Sequence, residues 1–126
     1  MDFSKQELER YSRHLVLPNF GIDAQRKLKQ AAVLIVGAGG LGSPVLLYLT
    51  AAGIGKIGSI DHDTVSRSNL QRQVIFTEGD LGKKKAHTAT TRLSKLNPDI
   101  NLKFYDQRIS SDNALALLKD YHLVVD

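Results

Sequence analysis

The stretch "VLIVGAGGLGSPV", residues 33–45, decides the fold. Val33, Leu34, Ile35 and Val36 form an apolar, β-branched run with the character of a buried strand. Gly37, Gly39 and Gly42 follow with the G-x-G-x-x-G spacing of a dinucleotide-binding turn. Ser43 and Pro44 come next. Ser is a favoured helix cap and Pro is tolerated at the first helical position, so a helix is predicted over 43–52, closed by Gly53 in a left-handed conformation. Strand, glycine turn and helix start together make a phosphate site: glycine lets the backbone approach a ligand, and first-turn N–H groups with the helix dipole favour negative charge. The pattern says nucleotide without saying which one or what is done to it.

Upstream, Ser4 and Glu7 form a capping-box pattern, and Leu8, Tyr11, Leu15 and Val16 recur near helical spacing, so residues 5–17 read as an amphipathic helix. Pro18 and Gly21 end it, and a short helix over 23–30 brings Ala24, Leu28 and Ala31 to one face. Downstream, "KIGSID" is a second strand ending at Asp61, followed by the polar loop "HDTVSRSNLQRQ". Asp80 is positioned to cap a helix whose inward face is Ala86, Ala89, Leu93 and Leu96, ending before Asn97 and Pro98. "NLKFYD" is a third strand, Ser110 or Ser111 starts a helix carrying Leu115 and Leu118, and "HLVVD" is a fourth strand. The alternation predicts an α/β fold: a Rossmann-like parallel sheet with helices on both faces, preceded by an N-terminal helical segment. Two parts follow, a helical segment over 1–30 and a nucleotide-binding half-domain over 31–126. The last strand leaves an apolar edge, and the chain is expected to be the front portion of a larger fold, incomplete at its C-terminus.

With no cysteine among 126 residues, disulfides, a thiolate nucleophile and Cys-ligated zinc are excluded within this stretch. No run approaches the roughly 18 apolar residues of a membrane span, and the polar start lacks a signal-peptide core. A cytoplasmic protein is expected. The net charge of +4 is mostly scattered, Lys83–Lys85 being the only run of three, so neither nucleic acid nor membrane is expected as a partner. His14, His62, His87 and His122 lack ligand spacing and read as structural or exposed.

Asp61 lies 19 residues after Gly42, where a carboxylate can accept from ribose hydroxyls. The glycines and Asp61 alone fit a dehydrogenase equally well. In "SRSNLQRQ", Asn69 and Arg72 fall on the ligand side of the sheet, and Lys85, near the start of the next helix, can reach the same space. A nicotinamide ring needs no cluster of cations, whereas a triphosphate does, because cations and an amide donor stabilise charge moving during displacement at phosphorus. Each residue also has a plainer reading: a tight turn for Gly37 and Gly42, a loop cap for Asp61, a turn former in Asp63, a local backbone bond for Asn69, a surface ion pair for Arg72, a solvated lysine at 85.

"RYSRHLVLPNFG", "VLIVGAGGLGSPV", "IDHDTVSRSNLQRQ" and "LGKKKA", in this order, resemble the MoeB/ThiF/HesA family, bacterial relatives of ubiquitin-activating enzymes. The resemblance covers nearly the whole chain and rests mainly on D-x-D-x-V-x-x-S-N-L-x-R-Q. It implies ATP- and magnesium-dependent adenylation of the C-terminal glycine of a ubiquitin-like sulfur-carrier protein, in molybdopterin or thiamine biosynthesis. It implies that Gly39 and Gly40, in the turn of Gly37 and Gly42, line the nucleotide, that Asp61 holds the ribose and that Asn69, Arg72 and Lys85 contact the phosphates. Arg13 matches an arginine that, in dimeric members, reaches the neighbouring subunit's site, so a homodimer is expected. The family's magnesium-binding aspartate falls beyond Asp126, as do its Cys-x-x-Cys zinc pairs; no metal ligand is assigned here, and the chain alone is expected to be inactive. The alternatives are an NAD(P)-dependent oxidoreductase and a non-catalytic nucleotide-binding or dimerisation module.

Overall fold

The structure is a computed structural model that describes residues 3–126. The first two positions of the expected 1–30 segment lie outside the described residues. Its centre is a parallel four-stranded sheet built from β1 (Ala32–Val36), β2 (Lys56–Ile60), β3 (Asn101–Tyr105) and β4 (Leu123–Val125), in the order β3-β2-β1-β4. β1 pairs with β2 along its whole length, Ala32 opposite Lys56 through Val36 opposite Ile60. Because the chain leaves β1 for β2 on one side and returns as β4 on the other, a crevice opens beyond the carboxyl ends of β1 and β4, where ligands settle in such sheets.

The apolar run of β1 is continuous because both its faces are covered. Val33 and Ile35 join Leu46, Ile57, Ile75, Ala89 and Leu93 in the larger core, beneath α4 (Gly42–Ala52) and α5 (Lys85–Leu96). Ala32 and Leu34 face the other way, onto Ile60, Tyr121 and the flank of α6 (Ala114–Leu118). At the β4 edge Leu123 and Val124 are exposed, as the open-edge expectation required.

Ahead of the sheet come α1 (Lys5–Arg10), α2 (Ser12–Leu15) and α3 (Gly21–Gln30). The Ser4 and Glu7 capping box forms in full. The single helix expected over 5–17 is instead two, broken at Tyr11, whose ψ of 10° leaves the helical region. The buried Tyr11 ring is drawn against Gly53, and its hydroxyl accepts a 2.8 Å bond from Asn97 Nδ2. Val16, assigned to the apolar face, is 76 % exposed.

Three expected caps are not formed. Ser43 is buried inside α4, its Oγ donating to the Ala38 carbonyl, and Leu41 precedes the helix without a side-chain bond. Asp80 closes the 3₁₀ turn at 78–80 by accepting from Thr77, and α5 starts later, after Lys84, with no side-chain cap. Ser110 donates to Asn113 Oδ1 in a turn ahead of α6, whose Leu115 is exposed. Leu96, placed on the inward face of α5, is likewise exposed. No helix of the described residues is long and apolar enough to cross a membrane.

Candidate functional site

The glycine turn between β1 and α4 is built by its own sequence. Gly37 has φ +91°, a left-handed conformation that L side chains rarely adopt, and its N–H donates to the Ile60 carbonyl at 2.8 Å. Gly42 is required for a different reason: a Cβ there would run into the Gly37 carbonyl. The turn therefore folds back on itself so closely that only these residues fit. The Gly39, Gly40, Leu41 and Gly42 N–H groups have no acceptor among the described residues, so the start of α4 presents a row of free donors at the positive end of its dipole.

Asp61 follows β2 and ties the two strand ends together. Its Oδ2 accepts from the Ala38 N–H and its Oδ1 from the Asp63 N–H, each at 2.8 Å. The bond from the Asp63 N–H is the loop cap given as the plainer reading of Asp61; the Asp63 side chain takes no part in it and lies beside His62 instead. A carboxylate has about four lone-pair sites, so two remain for other donors. Around Asp61 lies a cavity of about 470 Å³, shared with Gly37, His62, Asp63, Arg108 and Asp126. A second, of about 280 Å³, runs along Gly37, Gly39, Gly40 and Gly42 between β1 and β4. The two meet at Val36, Gly37 and Asp126, forming one concave strip at the crevice.

The loop after Asp61 bends back over the turn. A 3₁₀ turn at Arg67–Asn69 is fixed by the Ser66 N–H donating to Asn69 Oδ1 at 3.0 Å, so the local reading of Asn69 holds for its oxygen; its Nδ2 has no partner among the described residues. The turn delivers Arg72 onto Gly40: the guanidinium Nε lies 3.3 Å from where a Cβ on Gly40 would stand. Apart from a marginal 3.5 Å bond to the Ser68 carbonyl, Arg72 has no partner and no ion pair among the described residues. Gln73, given no separate role in the sequence reading, lies against Gly39 in the same way, with Nε2 at 3.4 Å.

The three consecutive lysines divide cleanly. Lys83 lies 4.0 Å from Asp80 and Lys84 lies 3.5 Å from Asp106, each with its own acid. Lys85 is buried, 6 % exposed, with no hydrogen bond or ion pair from its side chain among the described residues. Its N–H donates to the Asp63 carbonyl, anchoring the start of α5 to the loop below Asp61. Of the predicted site residues, Arg72 lies directly on the turn and Asp61 is bonded to it through Ala38, whereas Asn69 and Lys85 make no side-chain contact with it among the described residues and are tied to it only through the loop that carries them.

Arg13 is not brought to this place. Its neighbours are fastened to the far end of α4: Tyr11 against Gly53, and His14 Nδ1 to Gln25 Oε1 at 2.9 Å, with Gln25 Nε2 donating to the Ala52 carbonyl. Because the amide nitrogen is committed to Ala52, Oε1 is the acceptor and His14 carries its proton on Nδ1. Residues 42 and 52 are about 15 Å apart along the helix at ~1.5 Å per residue. Arg13 is exposed and without an ion pair among the described residues. The remaining histidines are structural or exposed, as read from their scatter: His122 Nδ1 accepts from the Ala32 N–H, His87 packs on Phe104, and His62 is at the surface.

Asp61, His62 and Asp63 place ligand-type atoms within 4.8 Å of one another. Both Asp61 oxygens already take backbone donors and Asp63 Oδ1 lies 3.4 Å from His62 Nε2, so the trio does not fit the octahedral oxygen cage that magnesium demands.

Residues 11–126 match the ThiF family. The chain belongs to that family. This ThiF-family chain is 50 % identical over 126 residues to the sulfur carrier protein adenylyltransferase of Thermus thermophilus, a match covering 100 % of the chain and 46 % of that protein. It is 49 % identical over 126 residues to the adenylyltransferase and sulfurtransferase UBA4 of Candida albicans, covering 99 % and 29 % respectively. Among solved structures, the tRNA N6-threonylcarbamoyladenosine dehydratase TcdA of E. coli, in complex with ATP, superposes with a TM-score of 0.90 at 29 % identity, over 96 % of this chain and 49 % of that one. The chain thus spans less than half the length of each of these relatives.

Proposed function

We propose that this chain is the nucleotide-binding part of an adenylyltransferase. It uses ATP to adenylate the C-terminal glycine carboxylate of a ubiquitin-like sulfur-carrier protein. The observation that carries the reading is Arg72 lying on Gly40, beside the uncapped start of α4. A guanidinium with no carboxylate partner, against a row of free N–H groups, is a place for a phosphate chain. The names of the Thermus and Candida relatives and the ATP complex of TcdA support it.

In this reading the turn of Gly37, Gly39, Gly40 and Gly42 cradles the phosphates, Asp61 uses its remaining lone pairs for the ribose, and Asn69 donates from its free Nδ2. A carrier's terminal carboxylate, with a pKa of roughly 3.5, is ionised at neutral pH, so no general base is needed. One carboxylate oxygen bonds to the α-phosphorus, the bond to the bridging oxygen breaks, and pyrophosphate departs with the electron pair. Arg72 and Lys85 supply the countercharge, the task to which such sites devote most of their stabilisation. Magnesium brought by ATP would add countercharge on the phosphates, and no described residue is assigned to hold it. Arg13, held at the far end of its own α4, serves the site of a second copy, making residues 1–30 the segment that completes a homodimer in the cytoplasm.

ATP–pyrophosphate exchange on the full-length protein tests this. Exchange is expected only with a carrier whose C-terminal glycine carboxylate is free, and is lost when that carboxylate is amidated. No carrier-dependent exchange, together with tight binding of reduced nicotinamide dinucleotide, would overturn the assignment.

A further inference from the structure

Gln73 is the one member of "SNLQRQ" beside the turn whose chemistry has no assigned use. Its backbone is pinned on both sides, the N–H donating to the Asn69 carbonyl at 2.8 Å and the carbonyl accepting from Phe76 N–H at 3.1 Å. The side chain is therefore aimed by the loop and not by its own contacts. Only 3 % of the residue is exposed, yet Oε1 is buried with no hydrogen-bond partner, and Nε2 has none among the described residues either. A buried amide oxygen is normally paired and is costly to leave without a donor, whereas Nε2 is not among the fully buried atoms. Packing does not explain the choice: a methionine of similar length fills such a space without that cost. The nitrogen end is the one turned to Gly39, next to Arg72 on Gly40, so consecutive side chains of the loop cover consecutive residues of the turn.

From this geometry we infer that Gln73 is a phosphate-binding residue, its carboxamide NH₂ donating to a nucleotide phosphate oxygen that passes over Gly39. This rests on the nucleotide reading above and adds to it a neutral donor beside the Arg72 cation. A carboxamide there keeps the shape of the site without adding charge, and its unpaired state in the free protein leaves the donor available.

Calorimetric titration of the full-length protein with ATP and with adenosine, for the native protein, Gln73→Glu and Gln73→Met, decides it. Gln73→Glu, which preserves shape but replaces the donor by an anion, is expected to weaken ATP about tenfold or more, with adenosine unchanged. Gln73→Met is expected to weaken ATP by about three- to tenfold while its Tm rises, because an unpaired buried amide has been removed. ATP affinity equal to native in both variants overturns the inference and leaves the nucleotide reading standing. So does parallel loss of ATP and adenosine affinity with a lowered Tm in Gln73→Met, the signature of a structural prop. A native protein that binds neither ligand overturns the nucleotide reading and this inference together.

Discussion

The two ends of α4 are finished in opposite ways. At its C-terminus the helix is closed several times over: Gly53 turns left-handed at φ +94°, its N–H reaches back to the Leu49 and Thr50 carbonyls, Asn97 donates to Thr50 O and Gln25 to Ala52 O. At its N-terminus there is no side-chain cap, four successive N–H groups have no acceptor among the described residues, and Arg72, which lies on Gly40, forms no ion pair among them. Helix ends left open inside a fold are unusual. A missing side-chain cap does not by itself set this end apart, since α3 and α5 also start without one; what does is that its free N–H groups lie beside Arg72 and Gln73, and on the proposed reading that end is reserved for a ligand. On that reading stability is concentrated at one end of α4 and binding capacity at the other.

The sharpest way to break that division is to damage the turn itself. Gly42→Ala places a methyl against the Gly37 carbonyl, which is backbone and cannot rotate away. The cost is expected near 3 kcal/mol, at the upper end for overpacking, read as a fall in the urea midpoint, with nucleotide affinity lost as well. Gly53→Ala meets the Tyr11 ring at 2.6 Å and a positive φ, and is expected to destabilise comparably while sparing affinity in the protein that remains folded. If the Gly53 variant loses affinity at temperatures well below its Tm, the two ends are not separable.

Arg72→Ala isolates the binding end. Arg72 has no ion pair to lose, so Tm is expected to stay within a degree or so of native, about the range for surface substitutions, while ATP affinity falls by about 10- to 100-fold, the range for a hydrogen bond to a charged group. Lys85→Met is expected to act in the same direction. The methionine keeps the packing of the buried lysine stem, so Tm is expected to stay near native here as well. A fall in Tm with unchanged affinity for either variant would reassign that residue to structure.

Most of the backbone around the open end was legible in the sequence because short-range chemistry fixes it. Glycine spacing, the apolar run of β1 and the acid at the end of β2 are local facts, and the strand limits at 32–36 follow directly. The closed end was not legible. Tyr11 meets Gly53 and Asn97 across 42 and 86 positions (53 − 11 and 97 − 11), and no periodicity reveals such contacts. That is why the break at Tyr11 was missed: the heptad-like pattern of Leu8, Tyr11 and Leu15 carries no sign that Tyr11 is claimed by a distant partner. The expected caps at Ser43, Asp80 and Ser110 failed for a related reason. Capping residues are recognised by type, but Ser43 and Asp80 found better acceptor or donor partners in Ala38, Thr77 and Arg92.

Asn97→Ala tests the closed end by itself. It leaves the Tyr11 hydroxyl and the Thr50 carbonyl facing each other across a buried void without their shared donor. The Thr50 carbonyl keeps the Gly53 N–H, so the loss of about 2 kcal/mol expected in urea unfolding comes from the stranded Tyr11 hydroxyl and the void left behind. ATP affinity per folded molecule should be unchanged, and activity in exchange should fall only if Arg13, carried on the clamped segment, has to be positioned for a second copy. An equal loss of exchange and of ATP affinity would show the clamp reaching through α4 to the turn.

The smallest effect is expected at Asp80, the one point where the loop over the open end is fastened as firmly as the closed one. Burial acts to raise its pKa, but the Thr77 N–H and hydroxyl and the nearby Arg92 and Lys83 charges outweigh it and hold the carboxyl below its ordinary value of 3.8. The folded value is therefore the lower of the two, so the stability Asp80 contributes is complete above pH 3.8 and is lost as pH falls through the folded value. Asp80→Asn is expected to cost about 1 kcal/mol at pH 7, the scale of a partly solvated ion pair, and the deficit should shrink toward nothing as the pH drops through the carboxylate range. Because Asp80 lies between Arg72 and Lys85 in sequence and ties the loop to α5 through Arg92, the same variant should loosen the placement of both cations and weaken ATP binding by a few-fold at neutral pH. A deficit that persisted unchanged at pH 3 would show that Asp80 acts by shape and not by charge, and an unaffected ATP affinity would show that the loop holds its cations without it.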